Sequence, residues 1–209
     1  MRKEILIDTW NRKEHFQFFS AFDEPFFGLV AEVDCAKAYQ QAREQQLSFF
    51  LYYLYQSLKA VNQIEAFRYR MEDGKVYCYD RIHASPTISR EDYTFGFSFM
   101  EYTPSPTGFI QSATQAMNQV KQSGGLGLNA NTGRTDVIHY SAIPWVSFTG
   151  LAHARSFRHQ DSVPKISFGK YRTEGGNRMM PVAVYAHHGL MDAYHVGLFL
   201  EIFQELLNE

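Results

Sequence analysis

Residues 181–195 read PVAVYAHHGLMDAYH, and the fold follows from how that run divides. Val182, Val184 and Ala186 alternate with other residues at the two-residue period of a strand. His187 and His188 end the strand. Asp192 then opens a helix over 193–207, in which Val196, Phe199, Leu200, Phe203 and Leu206 recur at helical spacing. An acidic side chain at a helix start is favoured by the dipole and can cap free amides. One or two imidazoles therefore sit at a strand end, close to a carboxylate. A neutral imidazole can take a proton from an alcohol if its other nitrogen is held in place. The plainer reading of the pair is two strand histidines hydrogen-bonded to their neighbours.

Upstream, the chain alternates between the two periods. Residues 4–8 read as a strand, and 10–20 as a helix with Thr9 as its cap. Residues 26–33 are β-prone, and Asp34 can cap a helix over 35–44. Residues 47–61, LSFFLYYLYQSLKAV, are apolar nearly all round, as in a buried helix. Strands at 67–71 and 75–79 flank Glu72-Asp73-Gly74, a hairpin signal. Further strands are expected at 85–90, 93–100, 136–141, 145–149, 164–171 and 179–187, with a helix over 108–121. The stretch 123–133, SGGLGLNANTG, reads as a loop. Its glycines lack phosphate-loop spacing, and no Lys-Ser or Lys-Thr follows them. The interleaving points to one α/β domain, 1–209, with antiparallel pairs.

Composition narrows the function. The formal net charge is -2, with no long basic run, so no nucleic-acid partner is expected. Two cysteines, Cys35 and Cys78, suggest neither a disulfide framework nor a metal site. No apolar stretch is long enough for a signal peptide or a membrane span, so the expected location is the cytoplasm. The 18 Phe and 13 Tyr call for a well-packed core or interface.

HHGLMDAYHVG resembles the motif of chloramphenicol acetyltransferases: His-His-x-x-x-Asp-Gly, then an aromatic and a His. Other stretches agree in order. WNRKEHFQFF is similar to the family's Trp-x-Arg-x-Glu-His-Phe, and FRYRMEDGKVYCYD to its Phe-Arg hairpin. YSAIPWVSFTG is similar to its Ser-Ala-x-Pro-Trp-Val segment, and ISFGKY to its strand ending in Gly-Lys-Tyr. The resemblance runs from Trp10 to the C-terminus. It implies a two-layer α+β sandwich, a mixed sheet covered by helices. It also implies acetyl transfer from acetyl-CoA, as co-substrate rather than bound cofactor, to a hydroxyl acceptor. Family members are homotrimers with active sites between subunits.

Carried over by position, His188 is the general base and His187 is structural. Ser141 stabilises the tetrahedral oxyanion, and Asp192 pairs with Arg12 to brace the histidine. Lys170 and Tyr171 hold the coenzyme's phosphate and adenine, and Ser167 stands where a threonine binds an active-site water. Phe95, Leu151 and His153 fall on the acceptor pocket. Several positions depart from the pattern. Ala193 replaces the motif glycine, which matters only if that backbone has positive φ. Ser48-Phe49-Phe50-Leu51 replaces Lys-Phe-Tyr-Pro, removing a basic contact to the coenzyme. Gly150-Leu151-Ala152-His153 replaces bulkier apolar residues. Two alternatives share the fold: a dihydrolipoyl acyltransferase-like core and a non-catalytic trimeric binding protein. The first lacks a lipoyl domain and linker here. The second gives no reason to keep His188, Ser141, Asp192 and Arg12.

Overall fold

A computed structural model describes residues 1–156 and 161–209. Two sheets pack around one apolar core. The small sheet is β1 (Arg2–Ile5), β4 (Lys75–Tyr79) and β3 (Tyr69–Glu72), in that order. The turn between β3 and β4 is Asp73-Gly74, both at positive φ (50° and 76°), with Glu72 paired to Lys75. That is the geometry a two-residue hairpin needs to match strand twist, and glycine adopts it without strain.

The large sheet runs β2 (Phe26–Asp34), β10 (Asn177–His187), β8 (Lys165–Gly169), β7 (Val137–Ile143), β5 (His83–Ser89), β6 (Phe95–Phe97). β9 (Arg172–Glu174) pairs with the start of β10. The pairs β5–β7 and β7–β8 are parallel and the others antiparallel, so the sheet is mixed. The two faces differ in chemistry. Tyr140, Ile138, Ile166, Phe168, Val182, Val184 and Ala186 point into the core. There they meet α3 (Phe49–Gln63) and α5 (Ala193–Leu207), while α2 (Ala36–Glu44) and α4 (Pro106–Gln122) flank them. The alternate residues His139, Ser141, Lys165, Ser167 and Tyr185 point the other way. The result is the helix-covered mixed sheet the resemblance implied. No helix among the described residues is long and apolar enough to cross a membrane.

Several local expectations are corrected. No strand forms over 145–149: Trp145 and Val146 are exposed, and the segment is held by a bond from the Lys170 amide to the Val146 carbonyl. The first strand lies at 2–5, and a short 3-10 turn takes Ile7–Thr9. Thr9 does not cap the next helix. Its hydroxyl bonds back to Leu6, and α1 begins only at Lys13 (Lys13–Phe19). The strand expected over 164–171 ends at Gly169, and that over 93–100 is regular only over Phe95–Phe97. α3 is capped by the Ser48 hydroxyl and is buried on nearly every side, as its composition required.

Candidate active site

His188 follows the last residue of β10, where the chain must leave the sheet before α5 begins. Both its backbone groups are tied down. Its amide donates to the Pro25 carbonyl (2.8 Å), and its carbonyl accepts from Arg12 Nη2 (3.1 Å). The other nitrogen of the fork, Arg12 Nη1, donates to Asp192 Oδ2 (2.8 Å). Asp192 Oδ1 in turn accepts the Tyr194 amide (3.1 Å), capping α5, while His195 Nδ1 accepts the Asp192 amide (3.2 Å). Partial burial would raise the Asp192 pKa. The bond from Arg12, with the His195 ring beside it, more than offsets this and holds the carboxyl below its ordinary value. Ala193 is the first residue of α5 and has no positive φ, so alanine sits there without strain.

The His188 ring stacks on Phe19 (centroids 3.9 Å, 9° between planes) and lies 4.7 Å from Phe27. Its Nδ1 is buried and bonds no other side chain among the described residues, leaving Nε2 as the nitrogen able to meet a substrate. Phe19 and Phe27 were not singled out from sequence. In a chain with 18 phenylalanines, nothing marks two of them as the walls of an imidazole slot. His187 behaves differently. It is 3% exposed, its Nδ1 accepts the Gly189 amide (3.1 Å), and burial plus the charge of Arg155 push its pKa down to about 4. It is a neutral, structural imidazole.

Ser141 lies elsewhere. The register puts Val30, Ala183, Ser167 and Ser141 in one row across β2, β10, β8 and β7. Thr87 extends the row on β5, donating to Ser141 Oγ at 3.5 Å, and Phe97 on β6 pairs with Thr87. A hydroxyl that accepts from Thr87 keeps its own proton to donate. Ser167 is fully buried, with Oγ 3.4 Å from His153 Nε2, and the His153 ring meets Tyr185 edge-on at 5.0 Å. The Tyr185 hydroxyl donates to the Leu151 carbonyl. Leu151, His153, Ser167 and Ser141 therefore share one patch on the polar face. Phe95 lies outside it, exposed at the β6 edge beyond Phe97. A cavity of about 110 Å³ adjoins the row, lined by Ser85, Phe97, Phe99, Asn129, Arg134 and His139. Burial, with Lys165 nearby, lowers the His139 pKa to about 4.

His188 and Ser141 are not brought together within one chain. His188 is five residues beyond Ala183 on β10, and Ser141 is two strands across from Ala183. At ordinary strand rise and spacing, that separates them by roughly 19 Å. Lys170 and Tyr171 sit at the opposite end of the sheet from His188, just past β8. Lys170 is exposed, whereas Tyr171 packs edge-on against Tyr39 (5.7 Å) and Phe49 (6.3 Å). Among the described residues, no cluster of three or more His, Cys, Asp or Glu could hold a metal ion.

A family model described as "Chloramphenicol acetyltransferase" matches residues 2–204. The chain belongs to the chloramphenicol acetyltransferase family. It is a chloramphenicol O-acetyltransferase-like acyltransferase. A chloramphenicol acetyltransferase of Proteus mirabilis is 26% identical over 204 residues, covering 97% of this chain and 93% of that relative. One from Campylobacter coli is 27% identical over 208 residues, covering 99% and 98%. A solved structure named chloramphenicol acetyltransferase superposes with a TM-score of 0.92 at 33% identity, covering 99% of this chain and 100% of that one. The dihydrolipoamide acetyltransferase of Azotobacter vinelandii has a TM-score of 0.67 at 13% identity, over 94% and 86% of the two chains, a likeness of fold alone.

Proposed function

We propose that this protein transfers the acetyl group of acetyl-CoA to a hydroxyl of chloramphenicol or a similar acceptor, as a homotrimer working in the cytoplasm, with each active site built by two subunits. The observation that carries the reading is the setting of His188. Its backbone is pinned at both ends by Pro25 and Arg12, and its ring is clamped by Phe19 and Phe27. A rigidly held imidazole whose Nε2 is open to a substrate suits a general base.

In this reading His188 Nε2 removes the acceptor's hydroxyl proton. The alkoxide attacks the thioester carbonyl, and the protonated imidazole returns the proton to the departing thiolate. Ser141 donates to the oxyanion of the tetrahedral intermediate, a contribution of about 3 kcal/mol in comparable sites. Arg12 and Asp192 position the base without exchanging protons. Leu151, His153 and the cavity beside His139 receive the acceptor, with Ser167 holding a water and Phe95 at the outer rim. Lys170 and Tyr171 receive the coenzyme. The separation of His188 from Ser141 supports a site shared between subunits: the base of one chain meets the serine row of the next. β2 is a free edge strand, and Leu29, Trp145 and Val146 are large apolar side chains left exposed, as an interface needs.

The test is thiol release from acetyl-CoA by the purified protein, with and without chloramphenicol, beside His188→Ala. Release that needs both the drug and His188 is expected. A His188→Ala variant that keeps near-normal turnover would falsify the mechanism. Release with other alcohols but not chloramphenicol would change the acceptor alone.

A further inference from the structure

Tyr185 has no part in the reaction as proposed, yet it touches the acceptor wall twice. It stands on the outward face of β10, paired with Gly28 on the edge strand β2. Its ring lies across that glycine: a Cβ at position 28 would come within 2.7 Å of the ring carbon that bears the hydroxyl. Any other residue at 28 therefore pushes the ring aside. From this place the hydroxyl donates to the Leu151 carbonyl, and the ring meets His153 edge-on at 5.0 Å. These contacts matter because the segment has little else to hold it. Residues 150–154 form no helix or strand, and they make no backbone-to-backbone hydrogen bond with another described residue. Gly150 and Ala152 are exposed and supply no bulk to pack. Arg155 anchors only the far end, over the Phe26 ring (3.6 Å) and beside Glu24.

His153 is thereby turned toward the reacting groups. Its Nε2 shares a hydrogen bond with Ser167 Oγ (3.4 Å), and Ser167 pairs in register with Ser141 on the neighbouring strand, about 5 Å away at ordinary strand spacing. We infer that Tyr185 is a positioning residue for the acceptor: it seats the 150–153 segment against the sheet, so that the His153 imidazole forms a fixed polar wall one strand from Ser141. The inference rests on the reading of Leu151 and His153 as the acceptor's wall. An imidazole free to turn loses rotamer entropy at each binding event, whereas a seated one has lost it already. The device fits the local sequence. Bulky apolar residues at 150–153 would hold themselves against the sheet, and the small ones here need a tether from outside. Burial, with Lys165 nearby, lowers the His153 pKa, so at neutral pH the acceptor meets an uncharged, hydrogen-bonding wall.

Steady-state kinetics would compare wild type, Tyr185→Phe, Gly28→Ala, His153→Ala and the double variant Tyr185→Phe/His153→Ala, varying chloramphenicol and acetyl-CoA in turn. Tyr185→Phe keeps the ring and removes one hydrogen bond. The chloramphenicol KM should rise about fivefold, while the acetyl-CoA KM stays as in wild type. Gly28→Ala, which displaces the ring without touching the segment, should do the same. In the His153→Ala background the Tyr185 change should add nothing, because the group it positions is gone. A Tyr185→Phe variant with the wild-type chloramphenicol KM overturns the inference. So does an equal rise in both KM values, which marks a structural effect, or a full rise in the His153→Ala background. Crystal structures of wild type and Tyr185→Phe test the positioning without any acceptor. His153 still at Ser167 in the variant overturns it. His153 displaced in the variant, together with no thiol release from wild type, counts against chloramphenicol as the acceptor and leaves the tether standing.

Discussion

Arg12 divides one planar side chain between two targets, the Asp192 carboxylate and the His188 carbonyl. A lysine offers a point charge and cannot match both directions. Arg12→Lys should therefore keep most of the stability but lose at least about tenfold in kcat, because His188, the proposed base, is no longer held. Arg12→Ala should lose activity and about 2 kcal/mol of stability, since Asp192 is left partly buried without its cation. Chemical denaturation alongside turnover checks both; equal kcat for wild type and Arg12→Lys would remove the positioning role. The placement of His187, His188 and Asp192 at a strand end and a helix cap was legible in the sequence because strand, turn and cap follow one another within a dozen residues. The partner of the His188 carbonyl was not: it is a backbone acceptor met by a side chain 176 positions away.

Elements were legible where local chemistry decides them. Asp73-Gly74 is a turn because few other pairs tolerate those dihedrals. The α3 sequence is apolar all round, and that helix is buried all round. The failure at 145–149 has the opposite cause. Pro144, Trp145 and Val146 are exposed, so their apolar character follows a surface and not a strand's buried face. The β3 hairpin is secured by a residue that no pattern marks. Arg70 is fully buried and donates to the carbonyls of Phe67 (2.8 Å), Tyr69 (2.6 Å), Thr135 (2.5 Å) and Val137 (2.6 Å), with burial lowering its pKa to about 10. It joins the small sheet to the start of β7, the strand that carries Ser141. Arg70→Met keeps the volume and strands these carbonyls. A loss of about 4 kcal/mol in urea unfolding is expected. A change below about 1 kcal/mol would show that water replaces the guanidinium freely.

At the scale of the molecule, buried histidines set the acid limit. His187 and His139 both titrate near 4 when folded, against an ordinary value of 6.5, because burial disfavours their charged forms. Between those values the unfolded chain binds protons that the folded one refuses. Stability is therefore complete above 6.5 and falls as pH drops toward 4, by on the order of 3 kcal/mol per histidine at most. The depressed Asp192 adds a further loss only below its ordinary 3.8. Melting temperatures from pH 7 to 4 should drop steeply in wild type and more gently in His139→Asn/His187→Asn. An unchanged slope in that variant would assign the loss to other groups.

The two faces of the large sheet also divide what can change. Along β7, Ile138 and Tyr140 are core, while His139 and Ser141 face away from it. On β8, by the same alternation, Ile166 and Phe168 are core, and Ser167 faces away. A substitution in the first set disturbs the packing of sheet on helix; one in the second, even at the buried Ser167, disturbs the polar row instead. Leu151 and His153 lie against that outward side through Tyr185 and Ser167, so a change in either is felt there and not in the helix-packed core.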